Sequence, residues 1–165
     1  MNNKFPNVSI ITVDYNGRHL LSNCLNSVFG LDYPQDKIEV IMVDNGTTGE
    51  SAEFIKNNFP NVKIIKNDRN NYCRANNLGI KNSTGEYVAL INNDVVLDKG
   101  WLGEIIAVMA GDGAIGAATG KILFPDGRLQ STGHYEFPNF YWSDRGFQEE
   151  DKSQYDTIEE APSIS

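Results

Sequence analysis

Residues 89–96 read ALINNDVV, an apolar run that closes on two amides and a carboxylate, Asn92, Asn93 and Asp94. The stretch YVALI (87–91) is apolar throughout, so the pattern predicts a buried strand whose last residues meet water. Polar groups at such a strand end can start a turn or hold a ligand, whereas inside the strand they would go unpaired. The same arrangement recurs upstream. NVSIITV (7–13) is a short β-branched run bounded by Pro6 and the polar DYNG, and IEVIMV (38–43) ends in DNGTTGES. VKIIK (62–66) supplies a further strand, followed by the polar loop NDRNNYC.

Helical patterns separate these runs. In RHLLSNCLNSVFGL the residues Leu20, Leu21, Cys24, Leu25, Val28 and Phe29 recur at helical spacing, and the pattern stops near Gly30 and Pro34. SAEFIKNNF predicts a short helix closed by Pro60, residues 74–82 a third helix ended by STGE, and GWLGEIIAVMA a fourth, while AIGAATG (114–120) reads as a fifth strand. Strands alternating with helices imply an α/β fold with a mostly parallel sheet covered on both faces. Ligands of such sheets bind outside the carboxyl ends of the strands, so DYNG, DNG and NND are expected at one edge. Beyond them, KILFPDGRLQSTG predicts an exposed hairpin turning at Pro125 and Asp126 with Gly127 at positive φ. From Asn139 onward the chain is polar, acidic and aromatic without a period, which predicts a long loop.

The composition narrows the function. A chain of 165 residues, 40% of them hydrophobic, suits one compact domain, and a net charge of -8 argues against a nucleic-acid surface. No signal peptide opens the chain and no run of about 18 apolar residues could span a bilayer. Cys24 and Cys73 show neither a CxxC spacing nor a disulfide scaffold, so both are expected as free thiols in a reducing, cytoplasmic compartment. His19 and His134 lack metal-ligand spacing, and neither a G-x-G-x-x-G nor a G-x-x-x-x-G-K-[ST] motif is present.

Several residues carry chemistry that a strand end allows. A carboxylate among oxygen ligands, as at Asp94, suits Mg2+ or Mn2+ when substrate phosphates and water complete the shell. The same residue could instead make an Asx-turn or a helix cap leading into KGWL. Asp44 could accept a hydrogen bond from a pyrimidine imide N–H, or serve as a turn and N-cap. Tyr15 and Asn16 could stack on and bond to the same base, and Arg74 lies near a helix start where phosphates bind, or is a solvated surface arginine.

In combination, VSIITVDYNG, IEVIMVDNGTTGES and NNYCRANNLGIKNSTGEYVALINNDVVLDKGWL resemble the family 2 glycosyltransferases of GT-A fold, over residues 8–160. GAIGAATGKILFPDGRLQSTG and DRGFQEEDKSQYDTIEEAPS are similar to the rhamnosyltransferase-like subgroup. The resemblance implies a nucleotide-sugar donor, UDP- or dTDP-linked, and a glycan or lipid-linked acceptor. It places Thr12, Val13, Asp14, Tyr15 and Asn16 around base and ribose, Asp44 at the base edge, Arg74, Asn76 and Asn77 toward the nucleotide, and Asn92, Asn93 and Asp94 at the DxD position. Asp94 would then bind the divalent cation, Mn2+ or Mg2+. Asn71 stands where the family usually has glycine, and asparagine is the residue that best tolerates positive φ in its place.

The family's proton-abstracting carboxylate belongs to a later ED-type motif that no residue from 139 to 165 matches, so the general base is expected beyond Ser165. Residues 1–165 are thus expected as one GT-A domain truncated at its C-terminus, with a nucleotide-binding core (1–120) and a hairpin and long loop (121–165). The expected activity is inverting, metal-dependent sugar transfer in cell-surface polysaccharide synthesis, in the cytoplasm or at the inner membrane face. The alternative is a non-catalytic nucleotide-binding or interaction module of the same fold.

Overall fold

The computed structural model describes residues 5–46 and 49–164. These fall into two compact units, one ending at Gly103 and the other starting at Glu104. The first unit runs β1 (Val8–Asp14), α1 (Arg18–Phe29), β2 (Ile38–Asp44), α2 (Glu50–Asn58), β3 (Lys63–Lys66), α3 (Tyr72–Lys81) and β4 (Tyr87–Asn92). All four strands are parallel, in the order β3-β2-β1-β4. Every residue of β1 is buried, as a strand paired on both sides and covered on both faces requires.

Right-handed crossovers carry the chain outward from β1 to β2 to β3 and then back past β1 to β4. That reversal puts α1 and α2 over one face and α3 over the other. The packing agrees. Ala75 of α3 joins Ile11, Val13, Ile41 and Val43 in one buried cluster, with Ile65 and Leu78 at its margin. Gly79 lets α3 approach closely, since a Cβ there would stand 2.6 Å from Ile11 Cγ2. The residues between these on the strands, Ile10 and Met42, are fully buried too, and α1 contributes buried Leu21, Cys24, Leu25 and Val28. Phe29 stacks on Phe59 at 5.9 Å, joining α1 to the end of α2.

At the amino edge of the sheet, Ser9 donates its hydroxyl to Glu39 Oε2 at 2.5 Å, and Thr84 N–H donates to the same oxygen at 2.8 Å. Gly85 N–H donates to Ser9 Oγ at 2.9 Å. These bonds fix where β4 enters, leaving the opposite edge for function.

The helix α4 (Trp101–Gly111) leads into the second unit, which contains two antiparallel pairs. β5 (Ile122–Leu123) and β6 (Leu129–Ser131) form the predicted hairpin, with Gly127 at φ +86° and its N–H on the Phe124 carbonyl at 2.9 Å. Lys121 is held between Asp151 at 2.7 Å and Asp156 at 2.6 Å. Two expectations are corrected. Residues 114–120 form no strand, because Gly116, Gly120 and three alanines offer little side chain to pack on a pleated surface. The segment after Asn139 is not all loop, since β8 (Trp142–Asp144) pairs with β7 (His134–Glu136). Its aromatic and polar residues alternate over too few positions to show a period.

Candidate functional site

The strand order reverses between β1 and β4, so the carboxyl ends of these two strands flank a topological switch point, where ligands of open α/β sheets bind. The last residue of β1, Asp14, is fully buried. Its Oδ1 accepts the Gly17 N–H at 3.1 Å and the Asn93 side-chain amide at 2.7 Å, which ties the end of β1 to the turn after β4. At Gly17 a Cβ would overlap Asn93 Nδ2 and stand 2.7 Å from Asp14 Oδ1, so a side chain there has to displace the Asn93 amide. Between these residues Tyr15 is half exposed, and Asn16 is exposed with φ +56°. Asparagine bears that conformation at less cost than most residues.

At the end of β4, Asn92 and Asp94 are exposed and Asn93 half-buried, where the chain turns and Val95 N–H meets the Asn92 carbonyl at 3.5 Å. Tyr72 donates its hydroxyl to Asn92 Oδ1 at 2.9 Å. An Asx-turn before α4 is made by Asp98, whose Oδ1 accepts from Gly100 N–H at 2.8 Å and whose carbonyl accepts from Trp101 N–H at 3.1 Å. Among the described residues no side-chain hydrogen bond or ion pair engages the Asp94 carboxylate. Its charge is felt below the turn: burial first, and then Asp94, push the Cys24 thiol up to about 11.

Asp44 ends β2 in register with Asp14 and is buried; its carbonyl accepts the Asn67 N–H at 2.8 Å. It does not cap α2, whose N-cap is Gly49 at φ +93°. Thr47 and Thr48 of the DNG loop lie outside the described residues. Thr12 and Val13 are buried within β1. Arg74 lies in the first turn of α3, exposed, 3.8 Å from Asp68. Asn77 is exposed on the same helix, whereas Asn76 is buried with its amide on the Tyr72 carbonyl at 3.1 Å. Asn71 is corrected: it is extended, φ -150°, and caps α3 by accepting Arg74 N–H at 2.9 Å.

Sequence reasoning missed an amide network that holds the DNG loop against the loop before α3. Asn45 Oδ1 accepts from Asn67 Nδ2 at 2.8 Å and from Asn71 N–H at 3.0 Å, while Asn45 Nδ2 donates to Asn70 Oδ1 at 2.9 Å. The crowding of amides in NDRNN was the available signal. Tyr72 was missed as well, since nothing local to it announces a partner on β4.

A divalent cation fits this edge in one way only. No group of three His, Cys, Asp or Glu is placed to hold a metal ion among the described residues, so these side chains alone offer no cage. Exposed Asp94 is a hard oxygen donor with room for phosphate and water around it, as Mg2+-type sites on nucleotides use.

The model of the family described as glycosyl transferase family 2 matches residues 9–163. Glycosyltransferase AglE of Haloferax volcanii is 29% identical over 144 residues, 84% of this chain and 47% of that protein. The mannosyltransferase PcManGT from Pyrobaculum calidifontis, solved with GDP-Man and Mn2+, is similar with a TM-score of 0.67 and 25% identity, over 74% of this chain and 37% of its own. TarS of S. aureus, solved with UDP-GlcNAc, shares the fold with a TM-score of 0.59 and 22% identity, over 72% of this chain and 38% of its own. The chain therefore spans less than half the length of each of these proteins. The parallel sheet with its polar switch point has the GT-A architecture expected from the sequence, and a family match reaching from Ser9 to Ser163 establishes that the chain belongs to glycosyl transferase family 2.

Proposed function

We propose that the protein transfers a sugar from a nucleotide-diphosphate donor to a glycan or lipid-linked acceptor hydroxyl, with inversion, in cell-surface polysaccharide synthesis. Residues 1–165 serve as its donor-binding portion, a single GT-A domain with a core (1–120) and a hairpin and loop (121–165). The observation that carries this reading is the convergence of Tyr15, Asn16, Asn92 and exposed Asp94 on the switch point between β1 and β4. The solved relatives' GDP-Man and UDP-GlcNAc support a nucleotide-sugar donor.

In this proposal Tyr15 stacks on the base, Asp44 accepts from its edge, and the strand end Thr12 to Asn16 frames base and ribose, Tyr15 and Asn16 from the surface and buried Thr12, Val13 and Asp14 from behind. Arg74 and Asn77 face the nucleotide from α3, and Asn92 and Asn93 orient the loop and the ribose. Asp94 holds a divalent cation, Mn2+ or Mg2+, which when bound offsets the diphosphate's charge. The acceptor hydroxyl attacks the anomeric carbon and the nucleoside diphosphate departs; the base taking the hydroxyl proton is an Asp or Glu that we assign to none of these residues. We place the reaction at the cytoplasmic face of the membrane; among the described residues no helix is long and apolar enough to cross it.

Thermal unfolding with UDP, dTDP or GDP, with and without Mn2+, tests the reading. Ligand at about 100 Kd stabilises by about 2.7 kcal/mol, which for a chain of this size raises Tm by roughly 5–10 °C. Asp94→Ala should remove the Mn2+-dependent part. No shift with any nucleotide contradicts the proposal, and binding without transfer by the full-length protein would favour a non-catalytic module.

A further inference from the structure

Asp14 sits at the centre of the switch point yet is fully buried, so a ligand cannot reach it without displacing its neighbours. One of its oxygens accepts two donors from two different loops, Gly17 N–H and the Asn93 amide. The space around that oxygen is closed to a side chain at position 17. On the far side of this clasp stands the turn that presents Asp94. Within the turn, the backbone contact from Val95 to Asn92 is long, at 3.5 Å, whereas the Asn93 amide reaches Asp14 at 2.7 Å. A short hydrogen bond to a carboxylate is the stronger restraint of the two.

We propose that Asp14 is a positioning residue: acting through Asn93, it fixes the turn that carries Asp94 and so sets the affinity of that carboxylate for a divalent cation without touching the cation. The inference rests on the proposed role of Asp94. Groups that orient a metal ligand typically change metal affinity by about 10- to 100-fold when removed. Asn93 is the residue through which the effect passes, so removing either member of the pair should have the same consequence.

The test is Mn2+ titration of the full chain followed by electron paramagnetic resonance of free Mn2+, with UDP and then GDP present, alongside nucleotide binding without metal. Asp14→Ala and Asn93→Ala are expected to weaken Mn2+ binding by about 10- to 100-fold each, and the double variant by no more than either. Asp14→Asn keeps an acceptor oxygen and should stay within about threefold of wild type. Metal-free nucleotide affinity is measured to normalise each value, because Asp14 and Asn93 also lie in the proposed nucleotide site. Mn2+ affinity relative to it should still fall by about 10-fold or more in both alanine variants, a ratio that simple loss of stability would not change. A folded Asp14→Ala protein with wild-type Mn2+ affinity overturns the inference, as do equal losses in Asp14→Ala and Asp14→Asn. Should Asp14→Ala fail to fold, Asn93→Ala decides, because its side chain is half-exposed and its loss leaves the core intact. Wild-type protein that binds no Mn2+ with either nucleotide overturns the role of Asp94 and this inference together.

Discussion

Replacing Gly17 with alanine probes the clasp from its tightest point. Position 17 is the N-cap of α1 with φ -96° and ψ 23°, a conformation open to alanine. Removing the glycine's freedom in the unfolded chain contributes about 0.4–1 kcal/mol of stability. Alanine is a poorer N-cap than glycine, by roughly 0.5 kcal/mol, so these two effects nearly cancel. What remains is the overlap of the new Cβ with Asn93 Nδ2 and its 2.7 Å approach to Asp14 Oδ1. The Asn93 amide is the movable partner. Swinging it away costs a hydrogen bond to a buried carboxylate, about 1.5–3 kcal/mol. Among the described residues Asp14 Oδ2 has no hydrogen-bond partner, so no second bond to this carboxylate offsets the loss.

Gly17→Ala should therefore lower stability by about 1.5–3 kcal/mol, read as a fall of roughly 1 M in the urea midpoint by far-UV circular dichroism. In an Asn93→Ala background, where the obstructing amide is gone and only the 2.7 Å approach to Asp14 Oδ1 remains, the same substitution should cost less, by about 1 kcal/mol or more. An unchanged or higher midpoint for Gly17→Ala alone would refute the reasoning, because it would mean that Asn93 is not held against Asp14 in solution.

Two further outcomes are expected. Burial opposes ionisation of Glu39, but the Ser9 hydroxyl, the Thr84 N–H and hydroxyl and the Lys63 ammonium outweigh it and hold its carboxyl below the usual glutamate range. The stability this confers is fully present above the unfolded glutamate pKa, about 4.3, and is lost as pH falls through the lower folded value. Glu39→Gln should therefore flatten the acid limb of a plot of urea midpoint against pH below about 4.3 and lower the midpoint at pH 7; parallel limbs would contradict this. Cys24 is buried with its thiol pushed up to about 11, while Cys73 is exposed. A disulfide reagent at pH 8 should label one thiol quickly in the native protein and the second only on unfolding, with Cys73→Ser removing the fast phase.

How much of this was legible in the sequence follows from the distance over which each interaction acts. Strands β1 to β4 and the helices between them were readable because a strand of such a sheet needs an apolar run and a covering helix a 3.6-residue stripe, both local patterns. The burial expected of residues 87–91 is corrected: β4 lies at the edge of the sheet with Val88 and Leu90 exposed. The hairpin turn at Pro125, Asp126 and Gly127 was readable because turn chemistry is local too. The network joining Asn45 to Asn67, Asn70 and Asn71 spans 22 to 26 residues. The bond from Asn93 to Asp14 spans 79. No periodicity announces such pairs; they arise only when parallel register sets the strand ends side by side. Asn71 shows the opposite failure, a residue judged by its tolerance of positive φ that serves instead as an extended cap.

The three polar residues that end β4 have separate duties, and the difference explains their types. Asn92 has to offer an acceptor to the Tyr72 hydroxyl, which an amide oxygen does without adding charge to an edge already bearing buried Asp14 and Asp44. Asn93 has to donate to Asp14 Oδ1 at 2.7 Å, and a carboxylate in its place would set two anions in contact in a buried setting. An amide at 93 thus suits the aspartate at 14, and glycine at 17 leaves room for their bond. Asp94 is exposed with its carboxylate unengaged among the described residues, which leaves it free for the cation of the proposed function. Asp14, Gly17 and Asn93 meet at one oxygen, Asp14 Oδ1, which is why each constrains the residue type of the other two.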